Sequence, residues 1–286
     1  MIPSDLMIEQ IEAAKMPLPK GICNRERKLK YCNVSEVEIS DREGAEQIGR
    51  PEGRYVTVET AKSYEIGEPA FEEIAAALSK ELRKMLKGHK KVLIIGIGNA
   101  AITPDSLGAK AVERIMVTRP LEELPEGYSV VSAVASPVYG ESGVESYELV
   151  RGLVRETKPE VVILIDALAT GNLARLCKTV QLANVGLTPG AGVGNARPAL
   201  DEKSLGCPVI SVGMPTVVDC RALLYHVLGE DWEAYADCLH PYEQSLIAVP
   251  RQMELATDMG ARMIAFSLNK ALHGDLSTEE ILRYLY

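Results

Sequence analysis

Apolar residues along much of the chain form short continuous runs, and between these runs they recur every three or four positions. Strands buried on both faces of a parallel sheet show the first pattern, and amphipathic helices show the second. Their alternation predicts an α/β fold, with a mostly parallel, twisted sheet and helices on both faces. The predicted strands are residues 92–98, 130–135, 161–165, 180–182 and 209–212.

Helical periodicity is clearest from Ala70 onward. Acidic residues open this stretch and lysines with Gly88 close it, in agreement with the helix dipole and with a glycine stop. Its apolar face consists of Phe71, Ile74, Leu78, Leu82 and Met85. Further helices are predicted at residues 145–156, 217–228, 251–273 and 277–285, the last opened by a capping-box spacing.

Residues 1–60 have a different pattern. Short stretches at 28–33 and 54–59 alternate in polarity, and glycine-containing turns lie between them. We therefore expect an N-terminal arm with short strands at residues 1–60 and an α/β core at residues 70–286. Both belong to one predicted domain, 1–286.

Composition narrows the functional classes. A chain of 286 residues that is 47% hydrophobic can bury a core without disulfides or metals. Its formal charge of −9 disfavours direct binding to nucleic acid. The start lacks the features of a signal peptide, and no apolar run reaches the roughly 18 residues of a membrane span. The six cysteines form no C-x-x-C pair, which fits reduced thiols in a cytoplasmic protein.

Two aspartates follow predicted strands, where ligands and catalytic groups gather in open parallel sheets. Asp105 lies on the segment after residues 92–98, and Asp166 directly follows residues 161–165. Neighbouring strand ends would bring the two carboxyl groups face to face. They could then share a proton, one activating water and the other protonating the peptide.

Each aspartate also has a structural alternative. Thr103-Pro104-Asp105 is good helix-start chemistry, so Asp105 could be a helix N-cap or a first-turn acid. The structural alternative is weaker for Asp166, because an acid that follows five aliphatic residues is desolvated and needs a partner or a raised pKa. Asn99 and Thr103 share the loop of Asp105 and could orient water or the scissile carbonyl. Three more acids could join a site, although such residues are more often solvated or capping: Glu141, Glu145 and Asp219.

The glycine-rich segments leave other classes open. Residues 96–101 match the dinucleotide fingerprint G-x-G-x-x-A, but Pro104 interrupts the helix that should follow. A nucleotide-binding protein is therefore an alternative. The loop at 189–195 lacks the lysine of a P-loop, and we expect its Gly192 and Asn195, with Thr216, to shape a cleft.

Serine hydrolases and metal-dependent proteases are two other classes against which the sequence can be tested. The chain has no Gly-x-Ser-x-Gly elbow, so a serine hydrolase is disfavoured. A metal-dependent protease is a further alternative, because two carboxylates suit Mg²⁺ or Ca²⁺ better than a transition metal.

Several motifs follow one another in order along nearly the whole chain. They are Ser4-Asp5-Leu6, Gly96-Ile97-Gly98-Asn99, Thr103-Pro104-Asp105, Ile165-Asp166-Ala167-Leu168-Ala169, the loop from Pro189 to Arg197, and Gly213-Met214-Pro215-Thr216. No single motif is decisive, but together and in this order they resemble the germination protease family of spore endopeptidases.

The resemblance implies an endopeptidase that degrades small acid-soluble spore proteins during germination. It implies a fold similar to hydrogenase maturation proteases, a homo-oligomer, with a tetramer expected, and a place in the spore core. It also implies an aspartate pair as the catalytic groups, at positions matching Asp105 and Asp166, with no cofactor and no direct contact with nucleic acid.

Three features depart from the family pattern. Only Met1, Ile2 and Pro3 precede the first motif, where relatives carry a pro-segment, so we expect a different activation step or a cut inside the arm. Pro120 stands where many relatives have histidine. The chain is also shorter between Gly229 and Ile247.

Overall fold

The computed structural model describes residues 4–14, 17–62, 67–236, 246–274 and 276–285. Residues 1–3 and part of the shortened stretch after Gly229 therefore lie outside the described residues. The strands are β1 (Ile22–Lys28), β2 (Cys32–Ile39), β3 (Gly53–Thr60), β4 (Lys91–Ile97), β5 (Val130–Ser136), β6 (Val161–Thr170), β7 (Thr179–Ala183), β8 (Val209–Asp219) and β9 (Ile247–Ala248).

Eleven α-helices are seen in the described ranges. They are α1 (Met7–Ala13), α2 (Arg42–Ile48), α3 (Glu68–Leu86), α4 (Leu107–Val112), α5 (Tyr139–Ser142), α6 (Ser146–Thr157), α7 (Glu202–Leu205), α8 (Cys220–Leu228), α9 (Glu233–Ala236), α10 (Met253–Leu272) and α11 (Thr278–Leu285). Of these, none is long and apolar enough to cross a membrane.

All the strands belong to one sheet, in the order β1-β2-β3-β7-β8-β6-β4-β5, with β9 pairing with β8. The α/β fold class is confirmed, but the sheet is mixed where the sequence predicts a mostly parallel one. Strands β5, β4, β6 and β8 are parallel, whereas β7 to β1 continue the sheet in antiparallel pairs. The connection from β6 to β7, residues 171–178, is too short for a parallel crossover, which takes roughly a dozen residues or more.

The apolar runs are buried on both faces, as predicted. On β4, Val92 and Ile94 pack in the cluster formed with α3, α4 and α10. The alternate residues Leu93 and Ile95 pack in a second cluster, which contains Val150 of α6. Because successive strand side chains point to opposite faces, a continuous apolar run supplies both layers. Helices therefore cover both faces of the parallel strands.

Three sequence predictions are wrong in detail. Residues 28–33 are not one strand: they run from the last residue of β1 through a turn at 29–31 into the start of β2, and the Leu29 N–H donates to the Cys32 carbonyl at 2.8 Å across this turn. Strand β1 is a polar edge strand with an exposed outer pattern, so no apolar signal marks it. The predicted helix at 217–228 begins only at Cys220, because β-branched residues carry β8 on to Asp219. Strand β6 continues beyond residue 165 as far as Thr170.

Other predictions are confirmed. Residues 54–59 lie in β3, and the helix predicted from Ala70 is α3. Ser277 and Glu280 form the predicted capping box at the start of α11: the Ser277 N–H donates to Glu280 Oε2 at 2.9 Å and the Glu280 N–H to Ser277 Oγ at 3.2 Å. The cysteines within the described ranges are free, and Cys238 lies outside them.

A buried carboxylate joins α3 to the antiparallel half of the sheet. Glu81 of α3 is 1% exposed. Its oxygens accept from Arg27 of β1 at 2.8 Å and from Arg54 of β3 at 2.5 Å, and Lys84 lies at 2.9 Å. Burial alone would raise the pKa of Glu81, but the hydrogen bonds from Lys84, Arg54 and Arg27 together lower it. The ionised carboxylate therefore anchors the helix to the N-terminal strands.

We expect Glu81→Gln to destabilise the fold by about 2–3 kcal/mol. This is less than the roughly 3–5 kcal/mol of a fully buried broken pair, because Arg27 and Lys84 reach solvent. The lowered pKa means that the Glu81 contribution is present above the unfolded-chain value of 4.5 and is lost as the pH falls through the folded-state value. Urea unfolding at neutral and acidic pH measures both effects.

Glu46→Gln is the matched control, because Glu46 pairs with Arg42 on the exposed surface of α2. It should change the free energy of unfolding by less than about 0.5 kcal/mol. Equal destabilisation by the two variants would contradict the role given to Glu81.

Candidate active site

A cavity of ≈ 680 Å³ opens at the carboxyl ends of the parallel strands β4, β6 and β8. This is the edge of the sheet at which the sequence places the candidate chemistry. Five of the seven predicted site residues do belong to its lining: Asp105, Asp166, Gly192, Asn195 and Thr216.

Asp166 lies within β6, opposite Gly213 of β8, and is 7% exposed. Its Oδ1 accepts a hydrogen bond from the Ala167 N–H at 2.9 Å. Burial is the main cause that raises the pKa of Asp166 well above the ordinary aspartate value, and the charges of Asp105 and Asp5 raise it further. The register of β6 against β8 shifts just beyond, between Leu168 and Ala169. This carboxyl group therefore favours its protonated form.

Asp105 ends a 3-10 turn, Thr103–Asp105, that follows β4. Its Oδ2 accepts from the Asn99 N–H at 2.6 Å, and this hydrogen bond joins the two ends of the loop formed by residues 99–105. It does not cap α4, whose N-cap residue is Ser106 and whose start has no side-chain cap. Burial raises the pKa of Asp105, and the nearby charge of Glu141 adds to this. The helix-cap alternative for Asp105 is therefore not what the geometry shows.

Asn99 and Thr103 hold the loop instead of lining the cavity. The Asn99 Oδ1 accepts from the Ala101 N–H at 2.8 Å, and the Thr103 carbonyl accepts from the Ser106 hydroxyl at 2.8 Å. Neither side chain is part of the cavity lining. Their sequence-predicted role in orienting water gains no support from this placement, and their effect on Asp105 is through the loop.

Gly98 fixes how closely this loop folds back. It has φ +131°, and a Cβ at this position would collide with the carbonyl oxygen of Asp105. Only glycine therefore allows the tight approach of the Asp105 turn to the end of β4.

Gly192, Asn195 and Thr216 also belong to the cavity lining. Gly192 has no room for a Cβ, because the carboxylate of Asp5 lies against it. The Asn195 N–H donates to the Gly190 carbonyl at 2.9 Å and closes the glycine-rich loop. Thr216 is fully buried, and its hydroxyl has no hydrogen-bond partner among the described residues. An unpaired buried hydroxyl at a cavity wall is available to a bound molecule.

Asp5 is a cavity residue that the sequence does not point to as part of the site. Its N–H donates to the Ala169 carbonyl at 3.0 Å, and its Oδ2 accepts from the Ala169 N–H at 2.8 Å. Burial raises the pKa of Asp5, partly opposed by the Ala169 hydrogen bond and by Arg50. The motif Ser4-Asp5-Leu6 was the available signal, but nothing in it indicates that this segment reaches the end of β6.

Glu145 and Asp219, which the sequence also offers as candidate site residues, lie in different parts of the structure. Glu145 lines the cavity and pairs with Arg197 at 3.3 Å. Asp219 caps α8 by accepting from the Arg221 N–H and lies outside the cavity lining.

The structure gives little support to the metal-dependent and nucleotide-binding alternatives. Within the ranges that the structure describes, no group of three or more His, Cys, Asp or Glu residues is arranged to hold a metal ion. The helix that a dinucleotide fingerprint requires at its glycines begins only at Leu107.

Buried carboxyl groups of raised pKa around an open cavity at strand ends define the class of this molecule as an α/β protein with a site suited to acid–base chemistry. Comparison with known proteins identifies the family within this class. A family model described as germination protease matches residues 4–230. The chain belongs to the germination protease family and is a protease.

Individual relatives agree with the family model. The germination protease of Clostridium acetobutylicum is 33% identical over 91% of this chain and 90% of its own length. That of Caldanaerobacter subterraneus subsp. tengcongensis is 34% identical over 100% of this chain and 98% of its own. Among solved structures, the [NiFe] hydrogenase maturation protease HycI from Thermococcus kodakarensis KOD1 covers 66% of this chain and 98% of its own, at 17% identity and a TM-score of 0.37, a likeness too low to support an argument.

We expect Gly98→Ala to destabilise the fold by about 1–3 kcal/mol, because alanine would strain the backbone and displace the Asp105 turn. Cleavage of protein substrate should fall in parallel. Urea unfolding and a peptide-cleavage assay measure the two effects.

Gly152→Ala is the control for this substitution. Gly152 lies in α6 with nothing within 4 Å of an added Cβ, so the change should stabilise by about 0.5–1 kcal/mol. If Gly98→Ala were as stable and as active as Gly152→Ala, the tight approach at Gly98 would have no importance.

Proposed function

We propose that this chain is an endopeptidase that degrades small acid-soluble spore proteins during spore germination, with Asp105 and Asp166 as its acid–base pair. The observation that carries the proposal is the shared cavity: in a chain of this family, both carboxyl groups line one opening, and burial raises the pKa of each. The charge of Asp105 is also one of the causes that raise the pKa of Asp166.

The unequal environments assign the two roles. Asp166 is the more buried group, and its pKa is raised well above the ordinary value, so it is the partner that holds the proton. Burial also raises the pKa of Asp105, but not well above the ordinary value as for Asp166, and the hydrogen bond from the Asn99 N–H opposes the rise, so Asp105 is the group that ionises first and acts as the base. A pair of carboxyls pushed apart in pKa is the arrangement that acid–base catalysis requires.

The reaction then runs in two steps. Asp105 takes a proton from water as the water oxygen attacks the scissile carbonyl carbon, and Asp166 gives its proton to the carbonyl oxygen. In the second step the C–N bond breaks, and the proton held by Asp105 passes to the leaving nitrogen. One hydroxyl proton of the intermediate returns to Asp166, so both carboxyl groups regain their starting forms. No cofactor enters this scheme.

The net charge of the chain and its family membership support proposals about its partners, its assembly and its location. A chain with a formal charge of −9 is repelled by phosphate, so we propose that it acts on the spore proteins without touching nucleic acid. We further propose that the chain is a single peptidase domain that works as a homo-oligomer, a tetramer, in the cytoplasm of the spore core. The continuous sheet that joins the N-terminal strands to the core supports the single domain.

Asp105→Asn and Asp166→Asn should each reduce turnover by about 10³-fold or more, because each removes one proton-transfer group. The assay is incubation of the purified chain with a small acid-soluble spore protein, followed by mass mapping of the fragments. Asp219→Asn is the control, since Asp219 lies outside the cavity lining and asparagine still caps α8. Near-normal turnover by either cavity variant would remove that residue from the mechanism.

Thr216→Val tests whether the Thr216 hydroxyl, in the cavity lining, binds substrate. The Thr216 hydroxyl makes no hydrogen bond within the described part of the chain, so valine should leave stability unchanged or slightly higher. If the hydroxyl binds substrate, kcat/KM should fall roughly 3- to 10-fold.

Thr179→Val is the matched control for this substitution. Thr179 on β7 is also buried with an unpaired hydroxyl but is not part of the cavity lining. Unchanged kcat/KM in Thr216→Val, or an equal loss in both variants, would argue against substrate contact at Thr216.

A further inference from the structure

The N-terminal strap, defined here as residues 4–13, is fastened across the ends of β6 and β7. The Met7 N–H donates to Gln181 Oε1 at 2.6 Å, and Gln181 Nε2 donates back to the Asp5 carbonyl at 3.1 Å. Arg50 donates to the Ser4 carbonyl at 2.7 Å. These bonds fix the start of the strap on β7 and on the residues before β3.

The strap is also fixed to the end of β6. Glu9 accepts from the Gly171 N–H at 2.8 Å and from the Thr170 hydroxyl at 2.5 Å. Glu12 accepts from the buried Arg175 at 2.6 Å. Together with the two hydrogen bonds between Asp5 and Ala169, these contacts make the strap follow β6 from Ala169 outward.

One strap carboxylate is placed differently from the other two. Glu9 and Glu12 are held by Thr170, Gly171 and Arg175 and are absent from the cavity lining, whereas Asp5 lines the cavity. The Asp5 carboxylate is held at Ala169, just beyond the register shift in β6, and it packs against Gly192. It therefore enters the same opening as Asp105 and Asp166.

We propose that Asp5 is a positioning residue for the reaction proposed above: it ties the strap to the end of β6 and brings a carboxylate into the cavity that Asp166 also lines. The inference rests on the proposed function for its catalytic consequence. Asp5 acts through Asp166 and makes no bond to the substrate.

The groups around the three carboxyls determine the direction of this effect. After burial, the pKa of Asp166 is raised by Asp105 and then by Asp5. Burial is the main cause that raises the pKa of Asp5, the Ala169 hydrogen bond and Arg50 oppose this rise, and Glu9 adds to it. Asp105 faces Glu141, and Asp5 is not among the causes that shift its pKa. At a pH where Asp5 is ionised, its charge therefore helps Asp166 to keep its proton while leaving Asp105 as the base.

Asp5→Asn separates this electrostatic role from simple anchoring. The amide oxygen still accepts from the Ala169 N–H, but the negative charge is gone. Asp166 then loses its proton more easily, so the basic limb of the pH profile of kcat/KM should move to lower pH. The acidic limb, which reports Asp105, should stay in place. If asparagine does not allow folding, checked by thermal unfolding, Asp5→Ser removes the same charge and should give the same shift.

Glu12→Gln is the control, because it removes a carboxylate from the same strap without changing the cavity. Both of its limbs should coincide with those of the unaltered chain. A pH profile of Asp5→Asn that superimposes on that of the unaltered chain, or that is lowered equally at every pH, would overturn the proposal and leave Asp5 as an anchor.

A second readout does not depend on turnover. The Asp166 carboxyl can be followed by ¹³C NMR in aspartate-labelled protein, with its signal identified by its loss in Asp166→Asn. It should titrate at lower pH in Asp5→Asn than in the unaltered chain, and an unchanged titration would overturn the proposal. If the unaltered chain cleaves no small spore protein, the proposed function fails separately, and the titration still decides the role of Asp5.

Discussion

The site depends on the burial of one carboxyl group, that of Asp166, inside a strand of the sheet. Burial makes the ionised form of Asp166 strongly unfavourable, and the charges of Asp105 and Asp5 make it more so. Opposing this is one hydrogen bond from the Ala167 N–H. The protein thus keeps an acid where an uncharged residue would pack more easily, and such a cost is typical of functional sites.

The fold supports that burial from both sides. Strand β6 lies between β4 and β8, and its residues up to Ile165 are fully buried between two helical layers. The loops after β4 and before β8 line the cavity at this point of the strand, and the strap bonds to β6 at Ala169. The Glu81 cluster fixes α3 to the antiparallel strands, so the half of the sheet that carries the strap is held to the half that carries the aspartates.

The sequence was informative where burial is strong and local. Continuous apolar runs predicted the parallel strands, and the rule of strand ends selected Asp105 and Asp166, which do share a cavity. The direction of β7 and the polar edge strand β1 were not predictable in the same way, because pairing partners and edge exposure are set by distant segments. Asp5 was missed for a similar reason: its neighbours in space, Ala169 and Gly192, are far away in sequence.

The central claim is that Asp166 keeps its proton at a pH where ordinary aspartates are ionised. Infrared spectroscopy of the protein with ¹³C-labelled aspartate, recorded near neutral pH, tests this directly through the stretching band of a protonated carboxyl group. A protonated Asp166 gives such a band in the unaltered chain, and the band disappears in Asp166→Asn. A spectrum without this band, or a band that persists in Asp166→Asn, would contradict the assignment of Asp166 as the acid.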